Sequence, residues 1–253
     1  MSLQIDSSLE GLKSLAPIPE EAKAYKLHLF KHTFHWLSKA LPDGPRQDWT
    51  VLEAGHGRYG WAELYAQLFN KVYGADIEDY SEFHPGVTSI QADFCKGIPL
   101  PEKSVHLIVS HSVLEHVLDV PTALASLDRI LVPGGFIFIT ISPLYYSAEG
   151  SHVNHPAQLC NWEHLDPGSR YYLLDNPLPD ATTLGHVLNK MTFSDFIGWV
   201  GRFPWSILSS YLMIDPRPIP PYVDRSKWSE MDLRTKGFFL LAKKEWHVDY
   251  GMK

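Results

Sequence analysis

The sequence predicts an α/β fold built on a doubly wound, mostly parallel sheet. Three observations carry that expectation. Short apolar runs recur at Thr50–Ala54, Lys71–Ile77, Val87–Ala92, Ser104–Ser110 and Phe136–Ile141. Helical periodicity falls between several of them, and buried strands alternating with helices imply a parallel sheet covered on both faces. A glycine-rich turn, Gly55-His56-Gly57-Arg58-Tyr59-Gly60, follows the first run, where a strand would pass into a helix.

The elements follow in order. Over 20–41 the residues Leu27, Phe30, Phe34, Leu37 and Leu41 step by three and four, which lines one face of a helix. Leu41-Pro42-Asp43-Gly44-Pro45 ends it with helix breakers. Trp61, Leu64, Tyr65 and Leu68 share one side of a helix after the glycine turn. Pro121–Leu131 reads as a helix with proline in its first turn, where a missing amide costs nothing. Pro133-Gly134-Gly135 reads as a turn before the strongly β-prone Phe136–Ile141.

From Ser142 to Met191 the pattern breaks into Tyr, His, Asn, Asp and Pro, and long irregular stretches inside a domain are usually functional. This stretch is expected to form a lid. Thr192-Phe193-Ser194-Asp195 resembles a capping box, so a helix to about Val200 follows, with Phe193, Phe196, Ile197 and Val200 inward. Trp205–Ile214 and Gly237–Lys244 complete seven strands, joined by a proline-rich connection with a short helix near Trp228 and Met231. The expected organisation is one domain over 1–253. It comprises an N-terminal helix (20–41), a ligand-binding core (48–142), an acceptor-side insertion (143–190) and a C-terminal helix with a strand pair (191–245).

Composition narrows the function. The 253 residues carry 22 Lys+Arg against 29 Asp+Glu, a formal net charge of −7, which argues against nucleic acid as a partner. Met1–Asp6 lacks the basic and apolar regions of a secretion signal, and no run approaches the ~18 apolar residues of a membrane span. Two cysteines, Cys95 and Cys160, make no disulfide framework, so a cytoplasmic location is expected. Thirteen histidines are the one oddity.

Glycines at 55, 57 and 60 permit a tight turn and close backbone approach to a ligand. Asp76 ends the second strand, where a carboxylate can accept both ribose hydroxyls. Nicotinamide dinucleotides and S-adenosylmethionine both fit this much. Glu53 separates them, since a carboxylate two residues before Gly55 would repel a pyrophosphate and suit a methionine ammonium. Asp93-Phe94 places a carboxylate beside an aromatic face, which suits adenine and its exocyclic amine.

Four blocks carry a resemblance. They are Val51-Leu52-Glu53-Ala54-Gly55-His56-Gly57, then Tyr73-Gly74-Ala75-Asp76-Ile77. The third runs Ile98–Ser110 into Val113-Leu114-Glu115-His116-Val117, and the last is Leu127 to Phe136. In this order they resemble the class I S-adenosylmethionine-dependent methyltransferases, closest to the small-molecule enzymes of the ubiquinone-biosynthesis type. The resemblance implies a Rossmann-like, mostly parallel seven-stranded sheet with an antiparallel last strand, and S-adenosyl-L-methionine as cofactor. It implies Glu53, Gly55, His56 and Gly57 around the methionine part, Asp76 on the ribose and Ile77 against adenine. Asp93 and Phe94 would hold the adenine edge and face, with Ser110 and His111 near the transferable methyl. His56, Tyr59 and His106 depart from the family pattern.

Methyl transfer to oxygen or nitrogen releases a proton, and histidine is the natural base near neutral pH. His111, His116, His152, His155 and His164 are the candidates, with His111, His152 and His155 favoured and His116 weighed as structural. The spacing of His152, His155, Cys160 and His164 is not a standard zinc pattern, so no metal is expected. Tyr145, Tyr146 and Trp162 would line an acceptor pocket. Gly150-Ser151-His152 and Trp162-Glu163-His164 resemble methyltransferases found with glycan biosynthesis, which adds a sugar or glycan precursor to the acceptor candidates. The competing readings are an NAD(P)-dependent oxidoreductase and a catalytically silent binding protein.

Overall fold

A computed structural model describes residues 20–41, 43–58, 60–151, 161–169 and 188–246, with the side chains of 20–29 outside the description. The strands are β1 (Thr50–Ala54), β2 (Lys71–Asp76), β3 (Thr88–Gln91), β4 (Val105–His111), β5 (Leu131–Ile141), β6 (Trp205–Ile214) and β7 (Thr235–Lys244). They form one sheet in the order β3-β2-β1-β4-β5-β7-β6. Pairs from β3 to β5 are parallel, while β7 runs antiparallel between β5 and β6. The structure therefore has the predicted doubly wound sheet, with its reversed last strand inserted one place in from the edge.

Side-chain alternation explains the unbroken apolar runs. Val51, Leu107, Val109, Phe136 and Phe138 point to one face, where Phe30, Phe34 and Leu37 of α1 (Glu20–Ala40) and Leu64 and Tyr65 of α2 (Ala62–Ala66) cover them. Leu52, Ile108, Ile137 and Ile139 point to the other, under α3 (Val120–Ile130) and α4 (Phe193–Val200). With both faces dry, the middle of these strands reads as an almost continuous apolar run, and the buried polar residues Glu53, Ser110, His111 and Thr140 lie toward their carboxyl ends. Leu27 of the predicted α1 face lies outside the described side chains.

The helix ends follow local chemistry. Asp119 caps α3 by accepting the Thr122 amide at 3.1 Å, with Pro121 in the first turn. Thr192 and Asp195 cap each other at α4, a reciprocal capping box. Phe196 and Val200 are buried, and Phe193 and Ile197 pack against the same core.

Two details differ from the expectation. Residues 133–135 are not a turn ahead of the strand; β5 starts at Leu131, and those residues form an irregularity inside it. Val105 pairs with Leu131 and Leu107 with Phe136, so the extra residues bulge out around Gly134, whose φ is +80°. Three 3-10 turns, Ser81–Phe83, Leu114–His116 and Glu163–Leu165, are too short to leave a periodic signal.

The connection after β5 builds its own small core. Tyr145, Ala148, Trp162, Leu165 and Leu188 pack with Ile219, Val223 and Leu233, the last from α5 (Glu230–Arg234). At the sheet edge, β6 carries no charged residue and exposes Ile207, Leu208, Tyr211 and Ile214. No described helix is long and apolar enough to cross a membrane.

Phe138 ties the layers together. It is fully buried in β5, stacks on Phe239 of β7 at 5.7 Å and meets His111 edge-on at 5.8 Å. Phe138→Ala is expected to cost ~3–5 kcal/mol in urea unfolding, the usual range for an aromatic cavity in a packed core. A loss below ~1 kcal/mol would show that the two layers are not joined there.

Candidate active site

The carboxyl ends of β1, β2, β4 and β5 converge on one edge of the sheet, where ligands of such folds bind. Gly55 leaves β1 at φ +84°, its amide donating to the Ala75 carbonyl at 2.7 Å. A Cβ there would stand 2.1 Å from Cγ2 of Val113, so the position excludes any side chain. At Gly60 a Cβ would stand 1.9 Å from the His56 carbonyl, which closes the loop as tightly at its other end.

Three polar contacts set the loop between these glycines. Glu53, fully buried in β1, accepts the Trp61 amide through Oε1 at 2.9 Å. Asp76 accepts the Gly57 amide through Oδ2 at 3.0 Å and the Glu78 amide through Oδ1 at 3.3 Å. His84 donates from Nε2 to the Gly57 carbonyl at 2.8 Å, since a carbonyl can only accept. Gly57 is thus held on both sides. The sequence reading missed His84, which sits in an irregular loop with nothing around it to mark it.

His56 faces away from the loop mouth. Its ring is 1% exposed, lies over Gly74 and meets the His84 ring at 4.9 Å. Gly74 makes room for it, since a Cβ there would fall 2.7 Å from the imidazole. Burial, then the neighbouring His84, hold its pKa below the ordinary value. The His106 departure has a local reason too: its Nδ1 accepts the Thr50 amide at 3.1 Å, at the opposite end of the sheet. Tyr59 lies outside the described residues.

Among the residues expected to hold adenine, Ile77 stands beside Asp76 and is 63% exposed, an open apolar face. Asp93 accepts the Cys95 amide at 2.9 Å and pairs with Lys96 at 3.1 Å; that lysine bond, first, holds its pKa low. The Phe94 ring is buried in the core under α3. Glu53, Gly55, Gly57, Asp76 and Ile77 are therefore gathered around the loop, whereas His56 packs behind it and Phe94 beneath it.

Ser110 and His111 end β4. Ser110 is fully buried, and its hydroxyl has no partner among the described residues. His111 lies between Thr140, whose Oγ1 is 3.1 Å from Nδ1, and Thr33, whose Oγ1 is 3.5 Å from Nε2. Burial first, then His32, push its pKa down to about 3. It is a neutral polar strut, and a group that weak accepts protons poorly at neutral pH.

His152 and His155 lie outside the described residues, as does Cys160. His164 donates from Nε2 to the Tyr145 carbonyl at 2.7 Å, and burial pushes its pKa down to about 4. Trp162 is buried and donates Nε1–H to the Leu233 carbonyl at 2.9 Å. Of the three expected pocket aromatics, Tyr145 and Trp162 are core of the insertion, and Tyr146 is half-buried against Trp228. A second residue missed as a site group is Glu115, whose buried carboxyl is pushed up to about 8. The Leu114-Glu115-His116 string was its only sequence signal.

Residues 52–139 match the family model described as a methyltransferase domain. A probable S-adenosylmethionine-dependent methyltransferase of Mycolicibacterium smegmatis is 33% identical over 97 residues, 37% of this chain and 37% of that one. A probable S-adenosylmethionine-dependent methyltransferase of Mycobacterium tuberculosis is 30% identical over 95 residues, 36% of this chain and 34% of that one. The matched region thus spans little more than a third of these relatives. In shape, an S-adenosylmethionine-dependent methyltransferase from Mesorhizobium loti has a TM-score of 0.54 at 20% identity, covering 82% of this chain and 95% of that one. A geranyl diphosphate methyltransferase has 0.54 at 15% identity, covering 85% and 77%. At such identity the likeness shows the fold.

The buried histidines give a signed pH dependence. His111 and His164 are held neutral in the fold and His56 is shifted in the same direction, so unfolding eases proton binding at each toward the ordinary pH 6.5. Their contribution is present above about pH 6.5 and is lost as pH falls toward 4 and 3, at up to ~1.4 kcal/mol per unit for each. Glu115 acts oppositely between 4.5 and about 8, cancelling one of the three where the windows overlap. Urea midpoints are expected to fall from pH 7 to pH 5. A level or rising midpoint would overturn the neutral assignment.

Proposed function

We propose that residues 52–139, which match a methyltransferase domain, form the cofactor-binding core of a class I S-adenosylmethionine-dependent methyltransferase, and that the chain methylates an oxygen or nitrogen of a small molecule. The observation that carries the cofactor reading is Glu53. Its carboxylate already occupies the Trp61 amide at the start of α2, the group on which a dinucleotide would seat its pyrophosphate. A buried carboxyl behind the loop suits the cationic methionine end of S-adenosylmethionine and disfavours the NAD(P) oxidoreductase reading.

The remaining residues fit the same group. Gly55 and Gly57 let the backbone approach the methionine part, with Glu53 behind them. Asp76 keeps free lone pairs on both oxygens for the ribose hydroxyls, beside the open face of Ile77 for adenine. Asp93 stands on the adenine edge and is held ionised by Lys96. Ser110 and His111 wall the methyl side. Phe94 and His56 support these groups from within the core.

S-adenosylmethionine supplies a methyl already activated as a sulfonium, so the transfer is an in-line displacement. The acceptor lone pair forms the new bond to carbon as the carbon–sulfur bond breaks, and the acceptor proton must leave. The chain positions the acceptor and excludes water, the larger share of such catalysis. With His111 near pKa 3, proton acceptance falls to the insertion, which carries His152 and His155. The half-buried Tyr146 and Trp228 offer aromatic contact to an acceptor, a sugar or glycan precursor included. The net charge of −7 argues against nucleic acid in that role, and the cysteine-poor composition supports a cytoplasmic setting.

Titration calorimetry with S-adenosylmethionine, S-adenosylhomocysteine and NAD tests this reading. Both sulfur compounds are expected to bind and NAD not to. Asp76→Ala removes bonds to a charged acceptor worth ~1.5–3 kcal/mol each, so the loss of even one is expected to lower affinity by at least about 10-fold. Unchanged affinity would overturn the ribose assignment, and no binding by wild type would overturn the cofactor. Methyl-donor turnover across a metabolite extract then tests the acceptor class.

A further inference from the structure

Three segments meet beyond the ends of β4 and β5, and one residue joins them. Glu115, in the 3-10 turn Leu114–His116, is 1% exposed. Its Oε1 accepts the amide of Ser142, which begins the insertion, at 3.2 Å. Its backbone carbonyl accepts the amide of Asn189, at the far end of the insertion, at 2.7 Å. Asn189 also donates from Nδ2 to the carbonyls of Leu114 and Val117, both at 2.7 Å. Both ends of 143–190 are thus fastened to one turn. The same segment carries Val113, whose methyl groups fill the space beside Gly55.

We propose that Glu115 is a positioning residue, a clamp that fixes both ends of the acceptor-side insertion to the wall of the cofactor loop. This rests on the reading that 143–190 covers the acceptor. Through Val113 the clamp makes the loop and the insertion one mechanical unit, so the two substrates of a methyl transfer are held in one frame.

The carboxyl works as a neutral group. Burial is the main cause of its raised pKa, opposed by hydrogen bonds from its own backbone, from Ser142 and from Ser112. Ser112 faces it from the end of β4 and Ser142 from the end of β5, while Asn189, from the segment before α4, meets only backbone carbonyls of the turn. No ionised side chain enters among the described residues. An ionised carboxylate there would be a buried charge without a countercharge, whereas a glutamine keeps the shape and the acceptor. At its Ser142 end the closed clamp is therefore strongest below pH 4.5 and is lost as pH rises to about 8.

Hydrogen exchange on the full chain, read by mass spectrometry, tests the clamp. In wild type, corrected exchange of the peptide covering 142–151 is expected to rise between pH 4.5 and about 8, by up to tenfold per unit, while 188–192, fastened to the backbone of the turn, stays level. Glu115→Gln is expected to keep both peptides protected with no such slope. Glu115→Ala is expected to open 142–151 at every pH while 188–192, held through the Glu115 backbone carbonyl and the Asn189 side chain, stays protected along with β1 and β4. A glutamine variant that keeps the wild-type slope, or an alanine variant that leaves 142–151 protected, overturns the proposal. If the alanine variant unfolds globally, Asn189→Ala is read instead. It should open 188–192 and leave the Ser142 amide protected, and no change in 188–192 overturns the clamp. Added S-adenosylhomocysteine should protect both peptides further in wild type and Glu115→Gln. Failure to bind it would sink the cofactor reading, while the ligand-free comparison still decides the clamp.

Discussion

The turn leaving β1 is set by the room that Val113 leaves beside Gly55. With a side chain excluded, the backbone bends at positive φ directly over the end of the sheet, and everything else at that edge is built around the bend. Glu53 reaches forward to the first amide of α2, Asp76 takes the next free amide of the loop, and His84 takes its carbonyl. Each contact comes from a different element, so the loop is shaped by the sheet and its flanking turns rather than by its own residues. A ligand meets a surface whose polar groups are already aimed.

Much of the fold is legible in the sequence because burial on both faces forces unbroken apolar runs, and because helices that cover a sheet must show their period. The core of the site is legible for a related reason. Gly55, Asp76 and Glu53 are fixed by chain direction, since a residue at the last position of a strand has few places to point. Beyond the strand ends that logic lapses. His56 points behind the loop because Gly74 opens a space there, and Phe94 points into the core because Asp93 caps the turn ahead of it. His84 and Glu115 act through 3-10 turns of three residues, too short for any period. The glycines at 134 and 135 read as a turn, yet they sit inside a strand as a bulge, because local sequence cannot say which residues a neighbouring strand will skip.

The histidine count finds a physical meaning in these placements. His56, His84, His111 and His164 are buried, and the contacts they make are to carbonyls, hydroxyls and other rings. At His111 and His164 imidazole serves as a neutral polar filler that can meet a hydroxyl or a carbonyl where a lysine would bring a charge. Glu115 is the acidic counterpart, a carboxyl kept neutral by the same dryness. The interior around the strand ends is thus almost free of net charge, while the surface carries the acidic excess. Glu53 is the buried carboxyl that the proposed reading sets against a cationic ligand group.

The position of β7 bears on how the chain can be made. It follows β6 in sequence yet lies between β5 and β6 in space. On the ribosome, β6 emerges first, uncharged and apolar, and faces the open edge of β5 across a gap that only β7 can fill. Until Thr235–Lys244 is synthesised, two unpaired edges coexist in one nascent chain, and their direct pairing would lock the final strand out. Translation through this last stretch is the interval in which a chaperone has the most to shield.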